Sequence, residues 1–315
     1  MSSESEQEVV WQEAWELGRE TLAGVTRHRV AGSAPGVELA LLDWGGDGEL
    51  VIMHHANGFC GATLAPIAKT LSERFRVVTI DARGHGDSTS VSPKEGPESY
   101  AWSTLAEDLH VALGEILELA GAERVKLAIG HSFGGALVLV EAQREPARFE
   151  NILLCDPVIF PAMSEGENEE RAKESGLVAA TLKRRDVFPT RAEAYAHLRS
   201  RGLFARFTKE ALGLYVGEGL WETEDGEVTL KCAREVEAAV FGSAALSDLF
   251  ADVEKISAEV LFLHASRGNF DRERYDALAK RMPSGRVESL EVGHLFPLEE
   301  PARVLAAVDE MIGRI

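Results

Sequence analysis

The sequence predicts an α/β protein: a mostly parallel, doubly wound sheet interrupted by an inserted helical block. Three observations predict it. Apolar runs of buried-strand type alternate with helical stretches over residues 25–160. The alternation stops over 161–250, where a charged helical pattern dominates, and it resumes over 251–315. Strand–helix alternation on both sides of a break means one sheet with crossover helices and a single insertion.

In chain order, residues 1–24 form an extension. Val10, Ala14, Leu17 and Leu22 recur at helical spacing beside Trp11 and Trp15, which predicts an amphipathic helix over 7–23. It is expected to pack against the core, with a homodimer contact as the alternative. Strands are predicted at 26–30 and 37–44, and the glycine-rich turn 45–48 leads to a short apolar strand at 50–54. A helix over 63–75, a strand at 76–80, a long helix over 100–120 and a strand at 125–129 follow. The helix over 133–144 stops before Pro146, and 152–155 is again a strand. Within the insertion only turns near Pro189 and at Glu224-Asp225-Gly226 stand out. Beyond it come strand 260–264, helix 273–282, strand 286–291 and helix 301–312.

Composition narrows the function. Hydrophobic residues make up 45% and charged residues 27%, the balance of a globular protein. A net charge of −19 repels phosphate backbones and anionic lipid, so neither nucleic acid nor a membrane surface is an expected partner. No apolar run approaches the ~20 residues that span a bilayer, and the acidic start has no signal-peptide core. Three distant cysteines (Cys60, Cys155 and Cys232) show neither disulfide nor metal spacing. A cytoplasmic setting is expected.

Gly130-His131-Ser132-Phe133-Gly134 fits G-x-S-x-G, flanked by a strand before and a helix after. A serine on so tight a turn projects Oγ above the sheet, and the helix N-terminus faces developing negative charge. Ser132 is therefore the candidate nucleophile, and the Phe133 amide a candidate oxyanion donor. A second donor is expected from the loop after strand 50–54, where the Phe59 amide is the candidate. His54 and His55 are adjacent on a strand and point to opposite faces, which favours packing over metal binding. Of nine histidines, His294 alone follows the last predicted strand, in a glycine-flanked loop. It is the candidate base.

Asn57-Gly58-Phe59, Gly130-His-Ser-Phe-Gly-Gly and Gly293-His294 together resemble the serine-nucleophile branch of the α/β-hydrolase family, as does the loop Asp81-Ala-Arg-Gly-His-Gly-Asp-Ser88. The resemblance covers residues 25–160 and 251–315 and implies that 161–250 is a helical cap over the site. It departs at the acid. That residue usually follows the seventh strand, yet His264-Ala-Ser-Arg-Gly-Asn-Phe-Asp271 has no carboxylate at the usual place. Some members resemble this chain in using an acid after strand six, which makes Asp156 the first candidate and Asp271 the alternative.

The implied reaction is cleavage of a carboxylic ester, a small-molecule acyl substrate, through an acyl-enzyme, with no cofactor or metal. A serine nucleophile disfavours the chemistry of similar proteins that use a carboxylate there. Carbon–carbon hydrolysis, thioesters and lactones stay open, as does a slow-turnover ligand receptor. Phe188, Tyr195, Leu203, Phe204, Phe207, Leu212, Tyr215, Leu220 and Trp221 could line an apolar pocket, or simply bury their own helices. One of Arg184, Arg185, Arg199 and Arg201 could meet a substrate carboxylate.

Overall fold

The computed structural model describes residues 3–94 and 96–313. Helix α1 (Ser3–Thr21) precedes strands β1 (Thr26–Ala31), β2 (Glu38–Asp43) and β3 (Leu50–His54). Helix α2 (Ala65–Leu71) leads to β4 (Arg76–Ile80), α3 (Trp102–Ala120) to β5 (Val125–His131), and α4 (Phe133–Arg144) to β6 (Phe149–Cys155). After the insertion come β10 (Glu259–Ala265), α10 (Arg272–Ala279), β11 (Gly285–Leu290), α11 (Phe296–Glu299) and α12 (Pro301–Ile312). The insertion itself holds α5 (Glu165–Ser175), α6 (Leu177–Leu182), β7 (Val187–Phe188), α7 (Arg191–Arg199), α8 (Lys209–Glu218), β8 (Leu220–Glu222), β9 (Val228–Leu230) and α9 (Arg234–Gly242).

Eight strands make one sheet in the order β1-β2-β4-β3-β5-β6-β10-β11. The β1–β2 and β2–β4 pairs are antiparallel, and the remaining pairs run parallel. The central strands are apolar on both faces because helices cover both. Period two sorts their side chains. Ile52, Ala128, Ile152, Leu154 and Phe262 pack with α3, α4 and α10 on one face. Val51, Met53, Leu127, Ile129, Leu153 and Leu261 pack with α2 and α12 on the other.

The insertion differs from its reading as helices alone. It also contains a three-stranded antiparallel sheet, in the order β7-β9-β8. The expected turn at Glu224-Asp225-Gly226 is the β8–β9 hairpin: the Thr223 amide donates to the Glu227 carbonyl at 2.8 Å. Its strands are two or three residues long, too short for alternation to register. The acidic stretch at 164–170 opens α5, where Ser164 and Glu167 form a capping box.

Helix α1 departs from expectation in both its face and its partner. Trp11 and Ala14 are buried, whereas Val10 and Leu17 are 45% and 42% exposed. The helix lies on α7 and α8 of the insertion and only lightly on α2. Close approach decides the face: a Cβ on Gly213 of α8 would lie 2.4 Å from the Ala14 carbonyl oxygen. The Trp11 ring meets Trp15 and Tyr195. A third apolar cluster then joins Trp11, Phe188, Tyr195, Phe204, Tyr215 and Leu220 to Phe59 and Leu295, which belong to loops at the strand ends. That cluster joins the insertion to these two loops.

Candidate active site

Strand β5 delivers the chain to Ser132 and α4 carries it away. Ser132 has φ 56° and ψ −116°, a conformation that costs a side-chain-bearing residue about 1–3 kcal/mol. Neighbouring strands impose it. The Ser132 amide donates to the Cys155 carbonyl at 2.9 Å, and its own carbonyl accepts from Val158 and Ala136 at 3.2 Å each. Gly134 permits the approach of α4 to the loop after β3, since a Cβ there would lie 2.5 Å from the His55 carbonyl oxygen.

Ser132 Oγ lies 2.8 Å from His294 Nε2, and His294 Nδ1 lies 2.6 Å from Asp156 Oδ2. Asp156 closes β6 with φ 43°, and its amide donates to the Leu263 carbonyl at 2.8 Å. Its side chain is fully buried. The other carboxylate oxygen accepts from the Ala265 amide at 3.1 Å and faces the Tyr275 hydroxyl at 3.2 Å. Burial, reinforced by Asp156, pushes the Tyr275 pKa up, so the hydroxyl stays a donor. Asp271 stands exposed at the start of α10, outside this chain of contacts.

Two supporting residues carried no sequence signal. Tyr275 is one. His131 is the other: its Nε2 donates to the His294 carbonyl at 2.9 Å, which fixes its tautomer. Burial, then the neighbouring His294, lowers the His131 pKa to about 3, so this ring is neutral. It lies 5.5 Å from the His294 ring, and Phe270 meets His294 edge-on at 5.6 Å.

Phe133 is the first residue of α4, where an amide has no intrahelical acceptor. The Phe59 amide donates to the Ala56 carbonyl at 3.1 Å, closing a turn over 56–59. At 3.1 Å the bond lies at the long side of the ordinary range, and an amide can be shared between two acceptors. The loop is held rigidly. Asn57 Nδ2 donates to the Glu237 carbonyl at 3.0 Å, and Asn57 Oδ1 lies 3.1 Å from His85 Nε2.

The remaining polar groups near the loop serve packing. His55 Nδ1 donates to the Ala56 carbonyl at 2.8 Å, and its Nε2 accepts from the Ala82 amide at 3.0 Å. Burial lowers the pKa of His54 and of His85 to about 4. Asp81 accepts from the Gly61 and Asp87 amides at 2.6 and 2.9 Å, and burial raises its pKa to about 6. Cys60 is buried in the α2-side core. Among the described residues no group of three or more metal-ligating side chains occurs.

Most aromatic candidates in the insertion pack on one another in the third cluster, while Leu203 and Trp221 are more than half exposed. The four arginines also separate. Arg185 pairs with Glu193 at 2.7 Å, Arg199 donates to the Phe207 carbonyl at 2.7 Å, and Arg201 lies against His197. Arg184 alone turns to Glu237, beside the 56–59 loop.

A serine on the sharp turn after the fifth strand of such a sheet defines the class of α/β hydrolases. Residues 51–308 match the Alpha/beta hydrolase family, and the chain belongs to it. The chain is 29% identical to the non-heme chloroperoxidase of Streptomyces lividans over 74% of its own length and 80% of that protein. It is 32% identical to protein phosphatase methylesterase 1 of Gibberella zeae over 30% of this chain, but spans only 24% of the methylesterase. Among solved structures, E-2-(acetamidomethylene)succinate hydrolase superposes with a TM-score of 0.73 at 18% identity, covering 91% of this chain and 99% of that one. A thermophilic esterase from Thermogutta terrifontis gives 0.64 at 22% identity, covering 91% and 98%. Both are likenesses of fold. No described helix is long and apolar enough to cross a membrane.

Proposed function

We propose that the protein is a serine hydrolase that cleaves a carboxylic ester through an acyl-enzyme. The observation that carries this reading is the continuous hydrogen-bonded chain from Ser132 Oγ through His294 to Asp156. In the proposed mechanism Ser132 Oγ attacks the carbonyl carbon and its proton passes to His294 Nε2. Asp156 holds the Nδ1 proton and stabilises the imidazolium. The developing oxyanion takes the Phe133 amide and the shared Phe59 amide. The alcohol leaves with the proton from His294, and the same imidazole then activates water to release the acid.

We assign residues 161–250 as a cap over this site. Its support is the third cluster, in which Phe59 and Leu295 pack with the insertion. Three buried free cysteines support a reducing, cytoplasmic setting. A series of p-nitrophenyl esters of increasing chain length tests the reaction. Turnover that disappears in Ser132→Ala is the expected result. Absence of turnover on esters, with turnover on thioesters, lactones or a vinylogous diketone, moves the assignment to that bond.

A further inference from the structure

Arg184 lies in the insertion, beside the loop that carries Phe59. Its Nη1 is 2.7 Å from Glu237 Oε2. Glu237 in turn seats this pair on the site. Its backbone carbonyl receives Asn57 Nδ2, and its carboxylate presses on Gly58, where a Cβ would lie 2.6 Å from Glu237 Oε1. The Tyr215 hydroxyl lies close to the guanidinium, and the Tyr215 ring packs 5.3 Å from Phe59.

The remaining guanidinium edge is unusual. Arg184 Nε and Nη2 are buried and meet no protein acceptor in good hydrogen-bond geometry, although the Tyr215 hydroxyl stands beside the guanidinium as a partner. They are two of the six such buried side-chain atoms among the described residues. Buried donors left unpaired are costly and rare, so a pair of them needs an explanation. Nε and Nη2 form one flat edge with parallel N–H bonds, the edge that takes a carboxylate through two hydrogen bonds. Glu237 holds the opposite side and fixes the orientation of the fork.

We propose that Arg184, oriented by Glu237, is a carboxylate-binding subsite, so that the ester hydrolysed at Ser132 carries a second, free carboxylate. This rests on the serine-hydrolase reading and narrows its substrate class to half-esters of dicarboxylic acids or esters of hydroxy or phenolic acids. The other three arginine candidates of the insertion, Arg185, Arg199 and Arg201, already have partners on their own segment, which leaves this edge as the fitted one among the four.

The test uses matched pairs of esters. On the acyl side, mono-p-nitrophenyl succinate, glutarate and adipate are compared with p-nitrophenyl butyrate, valerate and hexanoate. On the alcohol side, 4-carboxyphenyl acetate is compared with phenyl acetate. In at least one pair the wild-type protein is expected to favour the carboxylated ester in kcat/KM by 10-fold or more, mainly through KM. Arg184→Met is expected to reduce that ratio at least 10-fold, and Arg184→Lys to restore only part of it, since lysine keeps the charge and loses the fork. Arg185→Met, on the same segment, is expected to leave the ratio unchanged. Equal rates within every pair overturn the proposal without any variant, and so does an Arg184→Met ratio equal to wild type, which would mean a solvated structural pair only. Turnover of none of the esters by wild-type protein, or full turnover by Ser132→Ala, instead overturns the reading of the site beneath it.

Discussion

The strand ends and the insertion packed against their loops are built by different rules. Ser132 and Asp156 sit where β5 and β6 stop, each with a positive φ, and each has its backbone tied to the neighbouring strand. Their positions follow from sheet register, because Ser132 and Asp156 come directly after the paired His131 and Cys155. The insertion pairs only strands of two or three residues with one another, and none with the main sheet. Its helices α7 and α8 are placed by packing of Trp11, Phe188, Tyr195, Phe204 and Tyr215, and α9 by packing of Val236 and Val240 in the core beside α3. Chemistry common to a family can be fixed by the first region while the choice of substrate drifts in the second.

Substitutions separate the two regions by size of effect. Asp156→Asn removes the group that holds the His294 tautomer, so kcat is expected to fall by about 10³–10⁴-fold in a folded protein, with Asp271→Asn within about 3-fold of wild type. Steady-state kinetics on one p-nitrophenyl ester decides this. The reverse pattern moves the acid to Asp271. Gly134→Ala forces a Cβ to 2.5 Å from the His55 carbonyl oxygen and 2.6 Å from His54 Nδ1. Urea unfolding should show a loss of about 3–5 kcal/mol or no folded protein, and an unchanged midpoint contradicts the close approach.

Acid stability probes the same region. His54, His85 and His131 are neutral in the folded state, with pKa values lowered by burial to about 4, 4 and 3, against 6.5 in the unfolded chain. Below pH 6.5 the unfolded state takes up protons that the folded state refuses, so stability is fully present above that pH and falls towards pH 4. Each histidine contributes at most about 1.4 kcal/mol per pH unit. Asp81 works the other way between pH 6 and 3.8, since its folded pKa is raised. Urea midpoints measured from pH 7 to 4 should therefore drop, with His54→Asn, where it folds, flattening the slope. Tyr275→Phe removes one shared proton from Asp156 and Pro157, and about a 3- to 10-fold loss in kcat is expected. In the insertion, Trp221→Ala at an exposed position should change stability by no more than about 0.5 kcal/mol.

The same contrast explains what could be read beforehand. All eight strands of the main sheet fall where apolar runs and turns predict them: the central ones, buried on both faces, write continuous apolar runs, whereas the more exposed edge strands β1 and β11 are marked by β-forming residues and turns. The glycine-flanked Ser132 and the glycine-preceded His294 were legible for the same local reason. Asp156 was legible as a carboxylate at a strand end, once no acid stood after β10. Tyr275 and His131 were not, since each acts through a contact made by tertiary folding. The Phe59 amide was placed by loop position alone, and sequence carries no record that Ala56 would accept its proton. In the insertion, two- and three-residue strands gave no periodicity, and Arg184 looked like Arg185, Arg199 and Arg201 until their partners were visible. The periodicity of α1 marks a helix but not its buried face, because Gly213 on a distant helix decides which side can approach.

The central claim is that Ser132 is an activated nucleophile. Reaction of the native protein with a fluorophosphonate, followed by peptide mass spectrometry, tests it most directly. One covalent adduct on Ser132 is expected, formed at least about 100-fold more slowly in His294→Ala. No adduct on Ser132, under conditions that label a control serine hydrolase, would contradict it.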